Sequence, residues 1–141
     1  MKQSNWKRIL VSSSLIMVSA SSLAWANPVF DGSRSLVCSL TEVVGCTESR
    51  DCMEGPARDF ELPALVTIDV DKKQLKSAFE TGKENVSSIN TMQVSKGHLI
   101  LQGVENGVGW EMAVNGKNGQ MRASGVSNEL SFLVFGSCTS L

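Results

Sequence analysis

From Val66 to the C-terminus, apolar residues return at every second position in short runs, and each run stops at Gly, Asn or Asp. A period of two sends alternate side chains to opposite faces of an extended chain, so these runs read as strands with one buried face. Val66-Thr67-Ile68-Asp69-Val70 is the first, and Asp71-Lys72-Lys73 turns the chain after it. Residues 72–80 fit two readings. Leu75, Ser77 and Phe79 continue one face of a strand, whereas Leu75, Ala78 and Phe79 fit a short helix capped by Asp71. The strand is preferred because a short hairpin connection suits the neighbouring pattern.

Further strands are expected over Val86–Val94, His98–Val104, Val108–Val114, Gln120–Val126 and Glu129–Cys138. Lys96-Gly97 reads as a turn, and Asn106-Gly107 is a strong hairpin signal because both residues tolerate positive φ. Leu99, Ile100 and Leu101 in succession suit a strand covered on both faces. One or two more strands near Leu36 to Val44 bring the expected total to seven or eight. The fold class is therefore all-β: a small antiparallel meander barrel, lipocalin-like or related, with an open two-layer sheet as the alternative. Between Gly45 and Leu62 the alternation breaks, and a long disulfide-stapled acidic loop is expected there.

The chain begins with Lys2, Lys7 and Arg8, continues through an apolar, serine-rich run from Ile9 to Leu23, and reaches Ala24-Trp25-Ala26. Charge, apolar core and small-x-small exit form the order of a cleaved secretory signal, so residues 1–26 are expected to leave and residues 27–141 to fold as one β domain. The serines and the short apolar run argue against a retained membrane anchor. A periplasmic or secreted location follows. The chain has 13 Lys and Arg against 14 Asp and Glu, and three of the cations lie in the leader, so the mature domain is net acidic. With no basic run it has neither the footprint of a nucleic-acid binder nor a polybasic membrane anchor.

All four cysteines, Cys38, Cys46, Cys52 and Cys138, lie beyond the leader, and no spacing between them matches a common zinc frame. An even number in a small exported chain reads as a disulfide framework with three formal pairings. The expected one joins Cys46 to Cys52 around a short loop and Cys38 to Cys138 between the first and last strands.

Reactive groups are sparse. His98 is the only histidine, and a lone imidazole at a strand start is more often solvated than catalytic. Ser124 has Arg122 and Val126 where a nucleophile elbow wants glycines. The acids from Glu48 to Glu61 lack calcium-loop order and are interspersed with Arg50 and Arg58. Met92, Met112 and Met121 are unclustered and read as core rather than copper ligands. Asn85-Val86-Ser87 is formally a glycosylation acceptor. No metal and no cofactor is implied, and an enzyme is the least favoured class. The best candidate ligand surface is the stripe Val108, Trp110, Met112, Val114, with Phe132 beside it; core filling is the competing role for the same residues.

The runs Leu99-Ile100-Leu101-Gln102-Gly103-Val104, Gly109-Trp110 and Phe135-Gly136-Ser137-Cys138-Thr139, with the early Cys38 and Cys46, resemble a group of small exported proteobacterial proteins of uncharacterised function. The resemblance implies a shared fold and disulfide plan, and no activity. The chain is also similar in size, export signal and expected barrel to the periplasmic inhibitors of C-type lysozyme. However, Ser124-Gly125-Val126-Ser127-Asn128 lacks the aromatic of their serine-glycine motif. The functional expectation is a non-catalytic module binding a small apolar or amphipathic ligand near Trp110, Met112 and Phe132. A protein-interaction or inhibitor domain, with an extracytoplasmic protein as partner, is the alternative.

Overall fold

The computed structural model describes residues 30–79 and 82–141. The expected signal segment, residues 1–26, lies outside them. The described residues form nine strands: β1 (Leu36–Thr47), β2 (Cys52–Gly55), β3 (Leu65–Asp69), β4 (Gln74–Ala78), β5 (Glu84–Ser95), β6 (His98–Glu105), β7 (Val108–Asn115), β8 (Gln120–Val126) and β9 (Leu130–Ser140). From β3 to β9 each strand pairs antiparallel with its neighbour in sequence, and β9 returns to pair with β1 along its whole length. The sheet is thus a closed eight-stranded meander with β2 as an extra strand, and the open two-layer alternative is set aside. Segment 72–80 contributes a strand, β4, as preferred.

Local chemistry sets the registers. Ser95 pairs with His98 and Glu105 with Val108, so both connections are two-residue loops. Their residues, Lys96-Gly97 and Asn106-Gly107, all have positive φ, the geometry that matches the twist of a hairpin. Between β7 and β8 the Asn115 side-chain oxygen accepts from the backbone N–H groups of Lys117 and Asn118, fixing the wider turn.

Two expectations need correction. Ile100 is not covered by a second layer: Leu99 and Leu101 are buried inside the barrel, while Ile100 lies on the outer face, half-buried. The stretch expected as a long acidic loop is mostly structured. β2 pairs with Val43–Cys46 of β1, and a 3-10 turn spans Ala57–Phe60. The Cys46–Cys52 bridge staples the tight hairpin at its start rather than a long loop.

β1 divides its second edge between two partners, Leu36–Ser39 pairing with β3 and Val43–Cys46 with β2. A register shift between Leu40 and Glu42 lets Leu36, Cys38 and Leu40 face inward before it, and Val43 and Gly45 after it. Side chains close one end of the barrel: Leu36, Ile68, Leu99, Val114 and Met121 are almost wholly buried, with Phe30 packed beneath them. The Cys38–Cys138 bridge lies at this end, across the seam between β1 and β9.

Candidate functional site

The opposite end is not filled. Successive layers of inward residues can be followed across the sheet by register. Leu101, Met112, Ala123, Val134 and Val43 stand opposite one another in sequence, and the next layer outward runs Gly103, Trp110, Gly125, Phe132 and Gly45. That outer layer alternates glycine with an aromatic ring, and each ring lies over a neighbouring glycine. A Cβ on Gly103 would come within 2.5 Å of Trp110 Cε2, and one on Gly125 within 2.5 Å of Phe132 Cε1. Phe60, from the 3-10 turn, covers Gly45 in the same way. Aromatic rings laid over cross-strand glycines stiffen the sheet and keep the rings against the wall instead of across the bore.

The bore above the filled end is a cavity of about 270 Å³, open at the end of the barrel where β6 and β7 join. Its apolar wall includes Leu40, Val66, Leu75, Met112 and Val134 as well as Trp110 and Phe132. Leu62 and Pro63, from the connection that carries the 3-10 turn, close over part of the mouth. The burial of β7 records the gradient: Val114 and Met112 are buried, while Trp110 and Val108 are partly exposed. Trp110, Met112 and Phe132, the three residues expected at a ligand surface, therefore all line the cavity.

One wall is polar. Ser77 of β4 stands opposite Asn85 of β5, with Ser87 further in, and Glu105 of β6 lies beside them at the mouth. Trp110 Nε1 donates to Ser87 Oγ at 3.1 Å, and the Asn85 side-chain amide donates to Glu105 Oε1. Ser87 is 4% exposed, and Asn85 is engaged at the mouth. The formal glycosylation triplet is therefore folded into the barrel wall.

The sequence reading missed Ser77, Asn85, Ser87 and Glu105. Glu105 is in phase with the inward residues Leu99, Leu101 and Gly103, and a charge in phase with a buried face is the signal that marks it. Phe79, Asn106 and Val108 complete the rim.

The other candidates do not join Trp110, Met112 and Phe132 in a reactive site. His98 is exposed, with Nδ1 3.2 Å from the Lys96 carbonyl oxygen. Ser124, opposite Glu111 and Leu133, borders the cavity but is remote from His98. Met121 fills the closed end and Met92 packs against it from β5. Among the described residues, no cluster of three or more His, Cys, Asp or Glu has the geometry to hold a metal ion. No helix among them is long and apolar enough to cross a membrane. No protein-family model matches this chain, and no curated protein matches it.

Proposed function

We propose that this is an exported, non-catalytic binding module that holds a small apolar or amphipathic molecule in the open end of its barrel. The observation that carries this reading is the cavity of about 270 Å³ beside Trp110. An eight-stranded barrel is just wide enough to be filled by its own side chains. This chain does so at one end and leaves the other hollow. Apolar space without contents forfeits dispersion contacts and lowers stability, a loss that a bound molecule restores. A cavity of about 150 Å³ already admits benzene, and drug-sized pockets begin at roughly 300 Å³, so the occupant is a compact molecule.

Export belongs to the same proposal. It rests on the charge and polarity order of residues 1–26 and on two disulfides, bonds that persist in oxidising compartments. Kinship with the small exported proteobacterial proteins is likewise proposed, on the strength of the Phe135-Gly136-Ser137-Cys138-Thr139 run.

Native mass spectrometry of the protein recovered from its own host tests the reading. The expected result is a small-molecule adduct that is lost on unfolding. It should also be missing from Ala123→Phe, which places a ring in the cavity while circular dichroism reports the fold intact. A bare mass, together with no heat on calorimetric titration of 1-hexanol, would overturn the reading and favour a role in protein interaction.

A further inference from the structure

We infer that the cavity selects an organic cation, an ammonium group carried on a compact apolar body. The inference rests on the binding reading above and specifies what that site prefers.

Charge is the first support. Among the described residues no Lys or Arg lines the cavity, whereas Glu105 continues the inward series of β6 at its mouth. The ion pairs among the described residues join Arg58 to Asp59 and Lys72 and Lys76 to Asp69, and none involves Glu105. Its one side-chain hydrogen bond comes from the neutral Asn85 amide, which orients the carboxylate without cancelling its charge. A carboxylate held in place beside an apolar cavity, with no cation paired to it among the described residues, is a complementary site for a cation of the ligand.

The aromatic lining is the second. Trp110, Phe79 and Phe132 all border the same space, and ring faces attract cations, indole most strongly. The indole packs over Gly103, two residues before Glu105 on the same face, so ring and carboxylate are neighbours on the wall. A cation between them would meet both.

The polar wall agrees with this choice. An ammonium group donates hydrogen bonds and accepts none, which suits the acceptors offered by the Glu105 carboxylate and the Ser77 hydroxyl. A carboxylate ligand would instead bring like charge against Glu105 and meet no Lys or Arg among the described residues that line the cavity.

Calorimetric titration of the purified protein with hexylamine, 1-hexanol and hexanoate decides the matter. Near pH 7 the amine is protonated and the acid ionised, so three ligands of similar size present a cation, a neutral group and an anion. The amine is expected to bind at least about tenfold more tightly than the alcohol, with the acid weakest. Glu105→Gln, which keeps the size of the side chain, should erase the preference, so that amine and alcohol bind that variant equally. The comparison of the three ligands on the unaltered protein stands even if that variant misfolds. Equal affinities, or tightest binding by the acid, would overturn the selectivity and leave the binding reading in place. No heat with any of the three would remove both.

Discussion

Gly103 and Gly109 sit on adjacent strands, β6 and β7, and differ sharply in what surrounds them. A methyl group at Gly103 would lie 2.6 Å from the Ser88 carbonyl oxygen and 2.5 Å from Trp110 Cε2, whereas one at Gly109 would meet nothing within 4 Å. The backbone oxygen cannot swing aside, so the indole and the strand must both shift. Gly103→Ala is expected to cost about 1–3 kcal/mol, in the range of overpacked cores. Gly109→Ala should change stability by no more than about 0.5 kcal/mol, as for most exposed positions. Urea denaturation of the pair measures the difference; equal losses would mean that the ring over Gly103 adds nothing. Asp69 supplies a second test, in pH. The Lys76 ammonium, hydrogen-bonded at 2.8 Å, and then the Lys72 N–H hold its carboxyl below the usual value. A depressed folded value contributes stability above the unfolded pKa and loses it as pH falls through the folded one. Asp69→Asn should therefore be less stable than the unaltered protein near neutrality, and the gap should close only below about pH 4. A gap that stays constant down to acid unfolding would assign the loss to something other than the charge. Trp110, Met112 and Phe132 could be read from sequence because large apolar residues in strand phase stand out. Glu105 and Asn85 could not, because each lies one residue beyond the strand limits that periodicity drew at Val104 and Val86. Strand ends are set by turn and tertiary contacts that alternation does not report.

β1 shows how an irregular element hides. Its inward residues change phase between Leu40 and Glu42, where Thr41 Oγ1 donates to the Phe135 carbonyl oxygen at 3.0 Å. A bulge adds one residue to the count, so a period of two fails across it although the strand continues to Thr47. Alternation therefore revealed only part of this strand. β2 was invisible for a different reason: its four residues form an exposed extra strand with no buried face to impose a pattern. The cysteines compensated, because Cys46 and Cys52 stand directly opposite each other, as do Cys38 and Cys138. The two bridges constrain very different lengths of chain, with sequence separations of 6 and 100. Loop-closure entropy then assigns roughly 4–5 kcal/mol to the long bridge and roughly 2 kcal/mol to the short one. Denaturant midpoints of the double variants Cys38→Ala/Cys138→Ala and Cys46→Ala/Cys52→Ala should fall in that order. The first also empties volume at the closed end, which widens the gap. A larger loss from the short bridge would show that the β1–β2 hairpin, not the seam, limits stability.

Closure is the property that periodicity left open, since alternation says which residues face inward but not which strands meet at the ends of the meander. Neighbour-to-neighbour pairing from β3 to β9 involves short connections, whereas the seam joins residues about a hundred positions apart, as the separation of 100 between Cys38 and Cys138 records. Bringing such distant segments together costs chain entropy before any seam contact forms, and barrels dominated by non-local pairing fold slowly for that reason. The Cys38–Cys138 bridge removes this cost by keeping β1 and β9 adjacent in the unfolded chain. If the barrier to folding lies at closure, refolding with both bridges intact should be at least about tenfold faster than refolding of Cys38→Ala/Cys138→Ala, with similar unfolding rates. Loss of the short bridge should leave the refolding rate within about twofold, because its hairpin closes locally. Stopped-flow tryptophan fluorescence reads these rates. The opposite partition, with unchanged refolding and accelerated unfolding, would place closure after the barrier. The meander from β3 to β9 would then be the nucleus, and β1 the last strand to dock.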